Sequence, residues 1–429
     1  MQAALLEKLQ SVVGAPHLLT GVDLSPYVVE GRTPEAAVFP GTVDEVRTVV
    51  ALAAEAEVPV IAWGGGTAAT AGMPAARSGL VLGLRRLDRI LEHEPGDLTV
   101  TVEAGRTFAD LQAALGERGQ WLSLDPPDAE RATIGGVLAV NASGPRRHLY
   151  GTMRDLVIGV TVITADGALV RGGGKVVKNV AGYDLPKLFV GSCGTLGVIV
   201  EVTVKLRPRP DDERLVAIAF DRLKDAGAAV RAVMASDLIP NAVELLDAEA
   251  LRALGIAGAS AAIVVGFDGV AEQVAWQVDE LGRVVSADLP RAVPSEVWPR
   301  LSGAAAAAFV TPAAVMRLCV LPTQVADVME QGGEVARAQG LSSSWSAHAG
   351  VGVVTGALGL GEIDAVAEVL REWRGIARGC AGYAVLDWAP LAVKDAVGVW
   401  DDSGAAGRIM QRIKTELDPR NILNPGRFV

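Results

Sequence analysis

Residues 132–151 read ATIGGVLAVNASGPRRHLYG. The first five residues are typical of a helix that glycine opens, and residues 141–151 form a loop of small residues and hydrogen-bond donors. An earlier loop, Trp63-Gly64-Gly65-Gly66-Thr67, follows a predicted strand at 58–62. Three residues without a Cβ let consecutive main-chain N–H groups approach one ligand, and phosphate is the expected ligand. A plain tight connection is the alternative interpretation of this glycine-rich turn.

The order of predicted elements indicates an α+β protein. Residues 38–62 are predicted as strand, helix and strand, and the helix opens with the capping box of Thr42 and Glu45. Pro208 and Pro210, followed by charged residues, mark a domain boundary. Beyond them, from 215 to 400, helices alternate with widely spaced strands. This alternation predicts an antiparallel sheet backed by helices.

Composition narrows the possible functions. The chain has 429 residues, enough for at least two globular units, and a formal charge of −11 that argues against a broad nucleic-acid surface. Its three cysteines lack CxxC spacing, which argues against a disulfide framework or a structural zinc site and favours a reducing compartment. Glu7 and Lys8 interrupt the apolar run that an export signal would need. We expect a cytoplasmic protein without a transmembrane segment, with peripheral attachment at the inner face of a membrane left open.

Five motifs occur together in a fixed order. They are ATIGG at 132–136, SGPRR with YG within 143–151, KNVAGYDL at 178–185, GSCGTLGVI at 191–199, and DPRNILNPGRF at 418–428. In these motifs the chain resembles the FAD-linked oxidases of 2-hydroxy acids and, among them, the FAD-binding E subunits of bacterial glycolate oxidases.

The resemblance implies a vanillyl-alcohol-oxidase or PCMH-type fold. Residues 1–210 would form a two-subdomain FAD-binding domain, and residues 211–400 a cap domain with an antiparallel sheet covered by helices. Residues 401–429 would return to the FAD domain.

The resemblance also implies which residues bind the cofactor. Gly64, Gly65, Gly66 and Thr67 would wrap the FAD pyrophosphate, and Ile199 would lie along the adenine or flavin through its backbone. The other side of the cofactor would be lined by Thr133, Gly135, Gly136, Asn141, Ser143 and Gly144. Ordinary loop capping is the alternative for Asn141, Ser143 and Arg147.

The same comparison predicts that FAD is bound non-covalently. Relatives that tether FAD carry a histidine near the position of Thr67, and here that loop has none. Cys193 is interpreted as a small buried residue. We expect Gly65→Val to release FAD, because its side chain would occupy the phosphate position.

Catalytic groups are harder to assign. Catalytic relatives carry the metal-binding pattern HxGDGNxH, whereas this chain has His348, then Val351 in place of the Asp and Thr355 in place of the second His. We therefore predict no metal site. His348 is either a core residue or one that supports the site from behind, or else a ligand or base. Arg317 either holds a substrate carboxylate or forms a salt bridge to a nearby acid.

These features predict an FAD-binding subunit of a glycolate or other 2-hydroxy acid oxidase or dehydrogenase. By the resemblance, its partners would be a catalytic flavoprotein subunit and an iron–sulfur subunit, since the chain has too few cysteines to hold such a cluster itself. One alternative is a self-sufficient FAD oxidoreductase of another hydroxy acid or alcohol. The other is a flavin-free structural subunit.

Overall fold

The computed structural model describes residues 2–174, 183–256, 258–286 and 290–428. The chain groups into two compact units. The first unit contains residues 1–142, 152–209 and 402–429, and the second contains 143–151 and 210–401.

The short segment 143–151 differs from the predicted domain boundaries, which assigned it to the first domain. Its side chains bond within the second unit. Arg146 pairs with Glu213 at 2.7 Å, and the Tyr150 hydroxyl donates to Asp268 at 2.7 Å.

The α-helices vary from single turns to five turns. They are α1 (Ala3–Val13), α2 (Val43–Glu55), α3 (Phe108–Gly116), α4 (Ile134–Val140), α5 (Arg147–Tyr150), α6 (Met153–Leu156), α7 (Leu185–Phe189), α8 (Leu223–Met234), α9 (Ala248–Leu254), α10 (Ala271–Val285), α11 (Ala304–Ala307), α12 (Val325–Ala338), α13 (Ile363–Gly379), α14 (Leu391–Val397) and α15 (Gly404–Leu417). Among the described residues, no helix combines the length and apolar character that crossing a bilayer requires.

The strands are short in the first unit and longer in the second. They are β1 (Leu18–Leu19), β2 (Ala36–Val38), β3 (Val60–Trp63), β4 (Leu80–Gly83), β5 (Ile90–Glu94), β6 (Thr99–Glu103), β7 (Gln120–Trp121), β8 (Val157–Ile163), β9 (Leu169–Gly173), β10 (Val198–Lys205), β11 (Arg207–Pro208), β12 (Asp212–Phe220), β13 (Ala242–Asp247), β14 (Ala261–Gly269), β15 (Arg291–Ala292), β16 (Ala314–Cys319), β17 (Ser343–His348), β18 (Val353–Leu358) and β19 (Tyr383–Trp388).

The first unit is built from two main sheets. The first has the order β1-β2-β4-β3, with β4 parallel to both of its neighbours. The second has the order β5-β6-β10-β8-β9 and is antiparallel throughout. The apolar faces of α2 and α3 pack against these sheets. Each helix begins at a threonine cap, where Thr42 accepts from Glu45 N and Thr107 from Asp110 N.

The second unit is one antiparallel sheet with the order β15-β12-β14-β13-β17-β18-β16-β19. Helices α8, α10, α12 and α13 cover one face. In that layer the Trp345 and Trp373 rings lie 4.4 Å apart, and Gly332 and Gly356 leave room for them. This arrangement confirms the predicted α+β class with an antiparallel sheet covered by helices.

Candidate functional site

The first unit contains an open cavity with about 780 Å³ of space free of protein atoms. Its wall is largely apolar with a few polar groups, which is typical of cofactor and small-molecule sites. Eight of the residues that the sequence assigned to a cofactor line it: Gly64, Gly65, Gly66, Thr67, Thr133, Gly135, Gly136 and Ile199.

The loop 64–67 supplies hydrogen-bond donors to this cavity. It begins directly after β3, whose last carbonyl, that of Trp63, accepts from Leu84 N at 2.9 Å. Within the described residues, no protein acceptor bonds to the N–H groups of residues 64–67. Main-chain N–H groups gathered in one loop form a site for an anion such as a phosphate.

Gly64 and Gly65 are required by the close approach of the neighbouring loop. A Cβ on Gly64 would lie 2.1 Å from Thr133 Oγ1, and one on Gly65 would lie 1.7 Å from the Arg131 carbonyl oxygen. Gly66 has φ +75°, in the left-handed region. A side chain at residue 65 would meet the Arg131 main chain, which adds a steric reason for the predicted effect of Gly65→Val.

Helix α4 borders the same cavity, but its first N–H groups are already used. Ile134 N donates to Arg106 O at 2.9 Å, Gly135 N to Ala104 O at 2.8 Å, and Gly136 N to the Thr133 hydroxyl at 3.3 Å. Loop 64–67 therefore offers main-chain donors to an anion, whereas α4 forms part of the cavity wall.

Three of the residues assigned to the cofactor do not line the cavity. Asn141 caps the C-terminus of α4 in the left-handed conformation, with φ 52°. Ser143 and Gly144 belong to the second unit, where the Ser143 hydroxyl accepts from Arg147. Local capping, the alternative considered from the sequence, accounts for their positions. The motif 178–185 falls largely outside the described residues, and Tyr183 within it is 93% exposed.

Two C-terminal residues line the cavity and were missed as site residues. Asn424 Nδ2 donates to Cys193 O at 2.8 Å, and Arg427 Nη2 donates to Ala68 O at 2.5 Å and Ala69 O at 2.8 Å. Burial lowers the pKa of Arg427 from its usual value, while Cys193 and Glu30 oppose that change. Arg427, near the end of the motif DPRNILNPGRF, could have indicated this part of the site from the sequence, because a buried cation needs hydrogen-bond or charge partners.

In the second unit, Arg317 and His348 lie on the sheet face opposite Trp345. Cross-strand pairing aligns Glu244, His348, Val353, Cys319 and Tyr383 in one row across five strands, from β13 to β19. Arg317 precedes Cys319 by two residues on β16 and so shares its face.

Arg317 has an acidic neighbour. Its Nη2 lies 3.0 Å from Asp387 Oδ1, and both side chains are about one-third exposed. Burial raises the pKa of the Asp387 carboxyl, and Arg317 and Arg147 oppose that rise. Two guanidinium groups thus face one carboxylate, so this part of the surface keeps a positive charge.

His348 has a buried acidic partner. Its Nδ1 lies 2.8 Å from Glu244 Oε1 and 2.9 Å from Oε2, and Glu244 is 1% exposed. Across the described segments, no three His, Cys, Asp or Glu side chains come together as a metal site would require. Val351, which replaces the Asp of the metal-binding pattern, lies in a 3₁₀ turn at Ala349–Val351.

Two family models match the chain. The model described as FAD binding domain covers residues 34–173, and that of the FAD linked oxidases, C-terminal domain, covers 209–385 and 394–428. The chain is 30% identical to the glycolate oxidase subunit GlcD of Bacillus subtilis, over 96% of this chain and 92% of that protein.

The chain belongs to the FAD-linked oxidases. A second relative, the D-lactate dehydrogenase of Archaeoglobus fulgidus, is 31% identical over 95% of this chain and 94% of its own length. A crystal structure of p-cresol methylhydroxylase with bound substrate superposes with a TM-score of 0.78 at 18% identity, covering 99% of this chain and 96% of that chain. This likeness confirms the predicted fold type.

As an FAD-linked oxidase, the chain is an FAD-dependent oxidoreductase, which confirms the predicted cofactor and enzyme class. The residues present fit the cofactor. Loop 64–67 offers a set of N–H donors for a pyrophosphate, and Arg427 brings a positive charge to the wall of the same cavity. The glycolate oxidase relative is subunit GlcD, so the E-subunit resemblance remains a prediction.

Proposed function

We propose that this FAD-linked oxidase oxidises a small 2-hydroxy acid to the 2-oxo acid. The names of the two relatives support this substrate class, because both glycolate and D-lactate are 2-hydroxy acids. The observation that carries the proposal is the cavity of the first unit, where no described protein acceptor takes the main-chain N–H groups of loop 64–67.

In this proposal, loop 64–67 binds the FAD pyrophosphate, and Thr133, Gly135, Gly136 and Ile199 line the remaining wall. FAD, when bound, supplies the acceptor for a hydride and its two electrons. We propose that the cofactor is held without a covalent bond, because loop 64–67 lacks the histidine to which relatives tether FAD, and Cys193 is a small buried residue whose main-chain oxygen accepts from Asn424.

Arg317 is the proposed carboxylate-binding residue. Its guanidinium is fixed by Asp387, and the second guanidinium of Arg147 keeps the local charge positive. His348 is the proposed acceptor of the substrate hydroxyl proton. An oxidation of this kind needs both a cation for the carboxylate and a base for the hydroxyl.

We further propose that the chain works within an assembly with a catalytic flavoprotein subunit and an iron–sulfur subunit. The incomplete HxGDGNxH pattern and the three dispersed cysteines support this role. A cytoplasmic location, with attachment at the inner face of a membrane, fits the same proposal.

A self-sufficient enzyme is the second candidate. It is favoured by the 94% coverage of the D-lactate dehydrogenase, whose name mentions no subunit, and by the presence of Arg317 and His348 on one sheet face.

Steady-state turnover tests these proposals. The purified chain alone is assayed with glycolate and with D-lactate, using an artificial electron acceptor. We expect slow turnover that rises when co-purified partners are added. Full turnover without partners would favour the self-sufficient enzyme, and flavin-containing protein that oxidises neither acid, with or without partners, would contradict the substrate class.

A further inference from the structure

Glu244 and His348 are adjacent residues of neighbouring strands. They face each other in the β13–β17 register, so their side chains leave the same face of the sheet. Only 1% of Glu244 is exposed, and the His348 side chain is 12% exposed. The contact is therefore largely shielded from water.

The contact fixes the histidine tautomer. An ionised carboxylate can only accept hydrogen bonds, so Nδ1 of His348 must carry the hydrogen that Glu244 receives at 2.8 and 2.9 Å. A neutral His348 then has its lone pair on Nε2. A carboxylate with so little exposure needs such a donor, because burying an unpaired charge is costly.

A second imidazole lies close to this pair. His148, on α5, packs so tightly against Gly350 that a Cβ there would lie 2.3 Å from its Nδ1. Burial lowers the pKa of His148 from its usual value, and Glu244 opposes the change. His148 therefore favours its neutral form, and Glu244 directs its hydrogen bonds to His348.

The remaining titratable groups of the same row do not compete for a proton near neutral pH. A hydrogen bond with Cys319 raises the pKa of Tyr383 to about 12. Arg317 stays protonated and paired with Asp387. Neither Tyr383 nor Arg317 is therefore a candidate base on this face.

We propose that Glu244 is the positioning residue that makes His348 the base of the reaction. This inference rests on the proposed oxidation of a 2-hydroxy acid. The substrate O–H bond breaks and an Nε2–H bond forms on His348. FAD, held by loop 64–67, would supply the acceptor for the Cα hydrogen and its electron pair, and the oxygen electrons would close the C=O bond of the 2-oxo acid.

The Glu244 charge contributes twice to this step. It holds Nε2 as the acceptor before the transfer, and it stabilises the imidazolium that the transfer creates. Such a pair serves the proton transfer without the Asp and second His of HxGDGNxH, whose positions are occupied by Val351 and Thr355.

The first test compares Glu244→Gln with Glu103→Gln in the FAD-loaded protein. Glu103 is the matched control, because it is also 1% exposed but pairs with Arg89 in the first unit. We expect Glu244→Gln to lower kcat by about 10²-fold with little change in KM, since general-base catalysis contributes on this order. Glu103→Gln should keep the wild-type kcat and KM.

The second test needs no turnover. The chain has four histidines, His17, His93, His148 and His348, so histidine-selective ¹⁵N NMR gives a small set of ring signals that His348→Asn assigns. We expect wild-type His348 to show the Nδ1–H tautomer and Glu244→Gln to lose that preference. An Nε2–H tautomer in the wild type overturns the inference even if Glu244→Gln fails to fold.

The positioning role of Glu244 and the proposed function are overturned by different results. Wild-type kcat and KM in Glu244→Gln would overturn the positioning role and leave the proposed function standing. Absence of any 2-hydroxy acid oxidation by the wild type would overturn both.

Discussion

At the scale of single residues, Gly65 controls how closely two loops approach each other. A Cβ at this position would lie 1.7 Å from a main-chain oxygen, that of Arg131, and main-chain atoms cannot move aside cheaply. The sequence analysis identified the residue from its glycine-rich context. It could not supply the reason, because Arg131 lies 66 positions away in the chain.

We expect Gly65→Ala to reduce the bound FAD strongly. The added methyl pushes loop 64–67 away from residues 131–133, so its N–H groups no longer converge on the pyrophosphate. The ratio of flavin to protein after purification measures the effect. Gly96→Ala is the control, because a Cβ at Gly96 meets nothing within 4 Å. Equal flavin content in both variants would refute this role of loop 64–67.

Asp247 gives a second prediction at this scale. Its carboxylate ends β13 and caps α9, accepting from Ala250 N and Trp345 N at 2.8 Å each. Burial nevertheless raises its pKa to about 6. The folded protein therefore binds this proton more tightly than the unfolded chain does, and the resulting stabilisation is full below about pH 4 and lost as pH rises through 6.

We expect this dependence to disappear in Asp247→Asn. The stability of the wild type relative to the variant should fall by about 1 kcal/mol between pH 5 and pH 7, from the shift in pKa. Chemical denaturation at the two pH values, followed by tryptophan fluorescence, measures the difference. A stability difference that stays constant or grows with pH would contradict the raised pKa.

At the scale of elements, α15 and the tail after it are held by a buried ion pair. Lys414 Nζ lies 2.5 Å from Asp418 Oδ2 and also donates to Thr195 O and Leu423 O. Asp418 in turn accepts from Ile422 N and Leu423 N. The pair thus fixes the segment that carries Asn424 and Arg427 to the wall of the cavity.

We expect Lys414→Met to destabilise the first unit by about 3–5 kcal/mol, because it leaves a buried carboxylate without its cation. Flavin content should fall with it, since the tail lines the cavity. Thermal unfolding and flavin absorbance measure the two effects. Arg222→Met breaks the exposed pair with Asp225 and should change neither. Similar losses in both variants would indicate that burial of the pair does not matter.

Local signals in the sequence were enough to predict some elements. The threonine caps at Thr42 and Thr107 predict the starts of α2 and α3, and the Asp166-Gly167 turn predicts the hairpin of β8 and β9. Strands β17 and β18 form another hairpin. The 3₁₀ turn at Ala349–Val351 and Gly352, with φ +71°, turn the chain between them.

At the scale of the whole molecule, the features that the sequence predicts are those set by residues close together in the chain. Contacts between residues far apart in the chain were not predicted. Five ordered motifs were enough to predict the family and the FAD cofactor. The grouping of 143–151 with the second unit depends on Glu213 and Asp268, which follow it by 67 and 118 positions. The Glu244–His348 contact spans 104 positions. No local sequence pattern predicts contacts between residues so far apart in the chain, because such contacts depend on the order of the strands in the sheet.

The division into two units gives the last prediction. All residues that line the cavity belong to the first unit. Bound FAD should therefore stabilise that unit by about 2.7 kcal/mol when the free FAD concentration is one hundred times Kd, and so raise its thermal transition temperature. Calorimetry with increasing FAD should show this shift in the wild type and in Glu244→Gln, whose change lies in the second unit. Gly65→Ala should show almost none, because its donors are displaced. If Glu244→Gln lost the shift and Gly65→Ala kept it, the second unit and not loop 64–67 would be the main contributor to cofactor affinity.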